Sequence, residues 1–198
     1  MLAAQSTTNP AVARLHRWPS AVAQSLTGTL GFIAERAADE VGVSTGAGVT
    51  LLTTTGRRIT SVGTDGVAER LNALHDLYPV NPGAAAWLNS PTVCTTADVR
   101  RWPGWLREAT DMGACSVLSA PLSTPQRLLG TLMVYAGASD AYRRSDEDML
   151  ARYARDAGIL IDETQAAQLA VLPRDTDQTL IATSRAAARR PSRRSPPR

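Results

Sequence analysis

An α+β domain with an antiparallel sheet is what this 198-residue chain predicts, and three observations predict it. β-rich runs are joined by short turns, and helical stretches are grouped between them. One run, RLLGTLMVYAG at 127–137, is apolar on both alternations, as a central strand covered on both faces requires. The elements follow the order helix, hairpin, helices, strand, helix, two strands, helix.

Each element has a local cause. Residues 1–18 are polar and irregular, and the first helix opens at Pro19 and Ser20. Val22, Leu26, Leu30, Ile33, Ala37 and Val41 recur at steps of four or three, one apolar stripe that Gly42 ends. VTLLTTTGRRITSVGTD (49–65) holds two β-rich runs about Thr55 and Gly56 and predicts a hairpin. Val67, Leu71 and Leu74 return to helical spacing until YPVNPG (78–83) breaks it with two prolines, and a short helix follows over 84–88. TVCTTADV (92–99) predicts a brief strand, and 103–112 a helix with Pro103 at its first position and Gly113 at its end. CSVLSAPLS (115–123) and the 127–137 run are the strongest strands.

In the last helix Ser145 with Asp148 fits a capping box, while Asp146 and Glu147 suit the positive end of the helix dipole. Leu150, Tyr153, Ala157, Leu160, Thr164, Ala167 and Val171 then alternate by three and four. That spacing fits either a seam against a helix of a second subunit or an amphipathic helix lying on the sheet. Pro173 ends it.

All 21 basic residues are arginine, which removes every mechanism that needs a lysine, the P-loop lysine included. The net charge of +3 hides a division: residues 173–198 carry seven Arg against Asp175 and Asp177, a net of +5, so residues 1–172 carry a net of −2. The high isoelectric point belongs to an Arg/Pro/Ser tail in which no core forms. Nucleic acid is therefore expected as a partner only through that tail. Cys94 and Cys115 are too few and too far apart for a disulfide framework or a zinc site. No stretch has signal-peptide or membrane-span length, so a cytoplasmic protein without a membrane partner is expected. The organisation read here is a flexible N-terminus (1–19), one folded domain (20–172) and a disordered basic tail (173–198).

The candidate chemistry is sparse. GVSTG (42–46) matches the nucleophile-elbow pattern with Ser44, but the elbow needs a strand before the serine and a helix after it, and here the order is reversed. Cys94 lies between Val93 and Thr95, and Cys115 between Ala114 and Ser116, with no cation to lower a thiol pKa; inert buried thiols are expected. His16 precedes the domain and His75 is alone on a helix, so neither haem nor a metal is indicated. No catalytic residue is assigned. RRWPGWLREATDMG (100–113) has the look of a basic aromatic surface, yet it contains Glu108 and Asp111, and Trp102 is read as a packing anchor.

Taken in order, GAGVTLL, GRRITSVGTD ending in Asp65, RWPGW before a helix, GACSVLSAPL, LLGTLMVYAG and SDEDMLARYARDAG resemble a GAF domain over roughly residues 22–163. They resemble most closely the GAF domains that precede ANTAR modules, which bind RNA in transcription antitermination. Asn81, Pro82 and Gly83 stand where that subfamily usually has Gly-Pro-Cys, and only 28 residues of mostly tail composition follow residue 170, too few for an ANTAR module.

The resemblance implies a GAF/PAS-like sheet of five or six strands, with helices packed on one side and across a ligand pocket. It implies a non-catalytic sensor of a small molecule or partner and a regulated output such as gene expression, while the spacing in the last helix leads us to expect a homodimer through the terminal helices. Tyr78, Trp87, Trp105, Ser119, Met133 and Tyr135 are the residues expected to line the pocket. The ligand and any cofactor remain unknown, because GAF pockets vary widely. The absence of lysine weakens the cyclic-nucleotide mode, and no histidine follows either cysteine as bilin attachment requires. The alternative of another class is a thiol-dependent redox enzyme using Cys94 and Cys115; a third is a dimerising module with an unused pocket.

Overall fold

A computed structural model describes residues 25–88, 92–95 and 100–171, with 92–95 and 171 described by backbone alone. The terminal segments 1–19 and 173–198, with His16, lie outside the described residues, as does Val22. The chain divides at Ala166, and the last described residues, 167–171, belong to the unit that follows.

Helix α1 spans Leu26–Glu40 and starts later than its stripe suggests. Ser25 is extended and its Oγ accepts the Gly28 N–H at 3.0 Å, satisfying one of the helix's orphan donors. Strands β1 (Gly46–Leu52) and β2 (Arg58–Gly63) form the hairpin, whose turn is closed by Gly56 at φ +79 and by Thr53 N–H to Arg57 O at 2.8 Å. Helices α2 (Gly66–Leu77) and α3 (Pro82–Leu88), strand β3 (Thr92–Thr95), helix α4 (Pro103–Asp111), strands β4 (Ser116–Ser123) and β5 (Leu128–Ala136) and helix α5 (Arg144–Val171) complete the order. The five strands form one antiparallel sheet in the order β2-β1-β5-β4-β3.

Helices pack against both faces of this sheet. The alternation of strand residues decides which face each side chain joins. Val49, Leu51, Leu118, Leu132 and Val134 meet α1 through Leu30, Ile33 and Ala37, and α5 through Leu150, Ala154 and Ile161. The opposite face presents Val117, Met133 and Tyr135 to Leu71 of α2, to Trp102 at the N-cap of α4 and to Trp105 and Ala109 within α4. Trp102, 2 % exposed, is among the largest fully buried side chains, with Arg101 stacked on it at 4.4 Å. The stretch at 100–113 is thus a plug for this second core.

Helix α5 settles two points. Its cap is not the Ser145/Asp148 box: Asp146 accepts the Arg143 N–H at 2.8 Å, and Glu147 N–H bonds Arg143 O, so Arg143 is the N-cap and Asp146 is N3. Its buried face runs through Leu150, Ala154, Ala157, Ile161 and Thr164, with Tyr153 and Leu160 only half-buried and Ala167 exposed. Residues 150–164 therefore lie on the sheet as an amphipathic helix, packed so closely that a Cβ on Gly158 would stand 2.5 Å from Ser123 O.

Candidate functional site

The geometry of interest gathers around the C-terminal end of α2. A cleft of about 630 Å³ opens between the β1–β2 turn, the end of α2 and α3; Leu52, Arg57, Arg58, Asp76, Trp87 and Leu88 are among its walls. On the inner side lies a void of about 20 Å³, lined by Asn72, Asn81, Trp105, Ser119, Thr131 and Met133 among others, with room for a single water. His75 borders both.

The void is small because α2 sits directly on the sheet backbone. Gly48 permits this: a Cβ there would lie 2.6 Å from Asn72 Oδ1, and Asn72 Nδ2 instead donates to Val62 O at 3.1 Å. Trp105 and Met133, both nearly fully buried, fill the remaining interior. Ser119 is wholly buried against the void, and its Oγ has no hydrogen-bond partner among the described residues.

His75 is held at both ring nitrogens. Nε2 lies 3.1 Å from Gly56 O, and since a carbonyl only accepts, Nε2 carries the proton. Nδ1 then accepts from Asn81 Nδ2 at 3.4 Å. Asn81 also donates to Tyr78 O at 2.6 Å, and its Oδ1 accepts the Ala84 N–H at 2.9 Å, which caps α3. The His75–Asn81 pair therefore ties the hairpin turn, the α2–α3 connection and the α3 cap together. In the cleft, Arg58 donates to Asp76 through Nε at 2.8 Å and through Nη2, and to Ser61 Oγ through Nη1 at 3.1 Å.

A second polar cluster lies at the other end of α2. Asp65 caps the helix by accepting Val67 and Ala68 N–H at 2.8 and 2.9 Å, and its other oxygen accepts the Tyr135 hydroxyl at 2.9 Å. Burial pushes the Asp65 pKa up, but the hydrogen bonds from Ala68, Tyr135, Val67 and Thr64 outweigh it and hold the carboxyl below its ordinary value. Tyr135 is pushed up to about 12 by burial and by that carboxylate. Burial also raises Tyr142, despite its 3.2 Å bond with Ser44 Oγ, and Tyr153, whose hydroxyl donates to Ile33 O at 3.2 Å.

The six residues expected at one pocket thus fall in different places. Trp105, Ser119 and Met133 come together at the inner void, while Trp87 stands half-buried in the cleft. Tyr135 is turned to Asp65, and the Tyr78 ring packs against Gly104, where a Cβ would lie 2.5 Å from Cε1. Arg57, Arg58, His75 and Asn81 are cleft and capping residues that the sequence reading did not gather. The Asn-Pro pair inside YPVNPG was the available signal, since an asparagine before a proline marks a helix start. Ser44 lies between α1 and β1, not on an elbow. Cys115 is half-buried and unbridged; the Cys94 side chain lies outside the described residues. Among the described residues no group of three His, Cys, Asp or Glu side chains is placed to hold a metal, and no helix is long and apolar enough to cross a membrane.

An antiparallel sheet with α1 and α5 on one face and α2, α3 and α4 on the other defines an α+β module. A GAF domain profile matches residues 23–162, and the chain belongs to the GAF family, whose domains are sensory and signalling modules that bind small molecules or chromophores. No curated protein sequence matches it. Among solved structures it is similar to a domain assigned to a two-component sensor histidine kinase of Sinorhizobium meliloti 1021, with TM-score 0.55, 20% identity, 73% of this chain and 95% of that one covered. It is similar to a phycoerythrobilin-bound GAF domain from a cyanobacterial phytochrome (TM-score 0.54, 14% identity, 80% and 94% covered). The GAF-B domain of DevS from Mycobacterium smegmatis is a third (TM-score 0.50, 14% identity, 73% and 98% covered). At these identities the likeness is one of fold.

Proposed function

We propose that this domain is a non-catalytic sensor that takes a small molecule in the cleft beside Trp87 and regulates an output, gene expression, through α1 and α5. The observation that carries the reading is the contrast in room. The interior void holds about 20 Å³, whereas the cleft holds about 630 Å³, within the range of small-molecule sites. A ligand that draws His75 off Gly56 O also strips Asn81 of a partner, loosening the α3 cap and opening the void toward Trp105, Ser119 and Met133. Strand β5 carries the change across the sheet, because Met133 and Tyr135 face the ligand side while Leu132 and Val134 face α1 and α5. The result is a shift in population between two packings of the terminal helices.

The assembly proposed is a cytoplasmic homodimer through those helices, with nucleic acid touched only by the basic tail. The sequence's resemblance to the GAF portions of GAF-ANTAR regulators favours an output in transcription. Thermal-shift screening of small molecules tests the reading on three proteins. A compound that raises the melting temperature of the wild type and of the Cys94→Ser/Cys115→Ser double variant, but not of Trp87→Ala, is expected. Stabilisation that survives Trp87→Ala contradicts the cleft, and stabilisation lost with the cysteines favours the thiol enzyme.

A further inference from the structure

We infer that the cleft selects a planar, apolar molecule bearing a single negative charge, an inference that rests on reading the cleft as the ligand site. Its walls carry two arginines and one carboxylate. Asp76 and Ser61 occupy the Arg58 guanidinium, whereas the Arg57 guanidinium makes no hydrogen bond or ion pair among the described residues. Among the described residues one cationic charge is therefore left uncompensated at the turn. His75 offers no free ring nitrogen, because its Nε2 is hydrogen-bonded to a carbonyl and its Nδ1 to Asn81.

The remaining surface is apolar. Leu52, Pro79, Ala84 and Leu88 line the cleft, and the Trp87 indole offers a flat wall. Leu88 is 75 % exposed, an apolar wall of the cleft left open to solvent, and it favours an occupant that keeps apolar surface against it. A dianion would leave one charge unmatched, and a neutral molecule would leave Arg57 solvated and contribute nothing to selectivity. An aromatic monocarboxylate matches the charge, the flat wall and the guanidinium fork.

The probes are 2-naphthoate and its neutral counterpart 2-naphthalenemethanol, titrated by calorimetry and by saturation-transfer NMR against wild type, Arg57→Gln and Trp87→Ala. Naphthoate is expected to bind the wild type about tenfold more tightly than the alcohol, with Arg57→Gln removing the preference and Trp87→Ala weakening both. Circular dichroism checks that both variants fold; Arg57 is exposed on a turn and Gln leaves its backbone bonds intact. Equal affinity for the two probes, a preference kept by Arg57→Gln, or no binding of naphthoate overturns the charge inference. Probe binding that Trp87→Ala leaves unchanged overturns instead the reading of the cleft itself.

Discussion

Trp102 shows how a residue's chemistry and its role part company. Flanked by Arg101 and Pro103, it has the composition of a binding surface, yet it is buried to 2 % among Trp105, Leu106 and Val117. Trp102→Ala is expected to cost about 3–5 kcal/mol, from lost transfer energy plus the cavity left behind, and chemical denaturation measures it. An unchanged midpoint would return Trp102 to the list of surface contacts. His75 is the opposite case. Read along the chain it is a lone histidine on a helix; its partners are a carbonyl nineteen residues back and an asparagine six residues on. Tyr135 was legible as a pocket-face residue, but the carboxylate that turns it aside is 70 residues away in sequence. Periodicity reports the face a residue is on and says nothing of which polar atom meets it there.

At the scale of elements the helical stripes and strand runs were legible, since burial of an apolar face is a local pattern. Helix starts were less so. Arg143 is the cap in place of the start that Ser145 suggests, and Ser25 caps α1 while Ser20 lies outside the described residues, because capping depends on where the chain turns as well as on residue type. Asp65 is the cap that carries most, serving α2 and Tyr135 at once. Asp65→Ala is expected to cost about 1 kcal/mol or more, for the lost cap and the orphaned hydroxyl. Its folded pKa lies below the ordinary 3.8, so its contribution is complete above that value and is lost as the pH falls through the lower folded one. Urea unfolding of wild type and Asp65→Asn through the acid range should show the shallower decline in the variant. Parallel declines would mean that the carboxylate contributes nothing special.

For the whole molecule the sheet, its strand order and the GAF membership give a frame in which the two faces have different tasks. The face under α1 and α5 is built mostly of Leu, Ile, Val and Ala, with Tyr142 and Tyr153 at its margin. The other face carries Thr50, Asn72, Asn81, Ser119 and Thr131 beneath the short helices, and there a buried polar interior adjoins an open cleft. That asymmetry could be expected from the sequence as far as strand alternation goes. The position of the cleft could not, because it depends on how far α3 stands from the hairpin turn, which no spacing encodes.

Native mass spectrometry of freshly purified wild type and Trp87→Ala protein tests the central claim most directly. The wild type should retain a small molecule that is released on denaturation, and a folded Trp87→Ala should come out empty. A folded variant that retains the same molecule to the same extent would contradict the cleft as the sensing site.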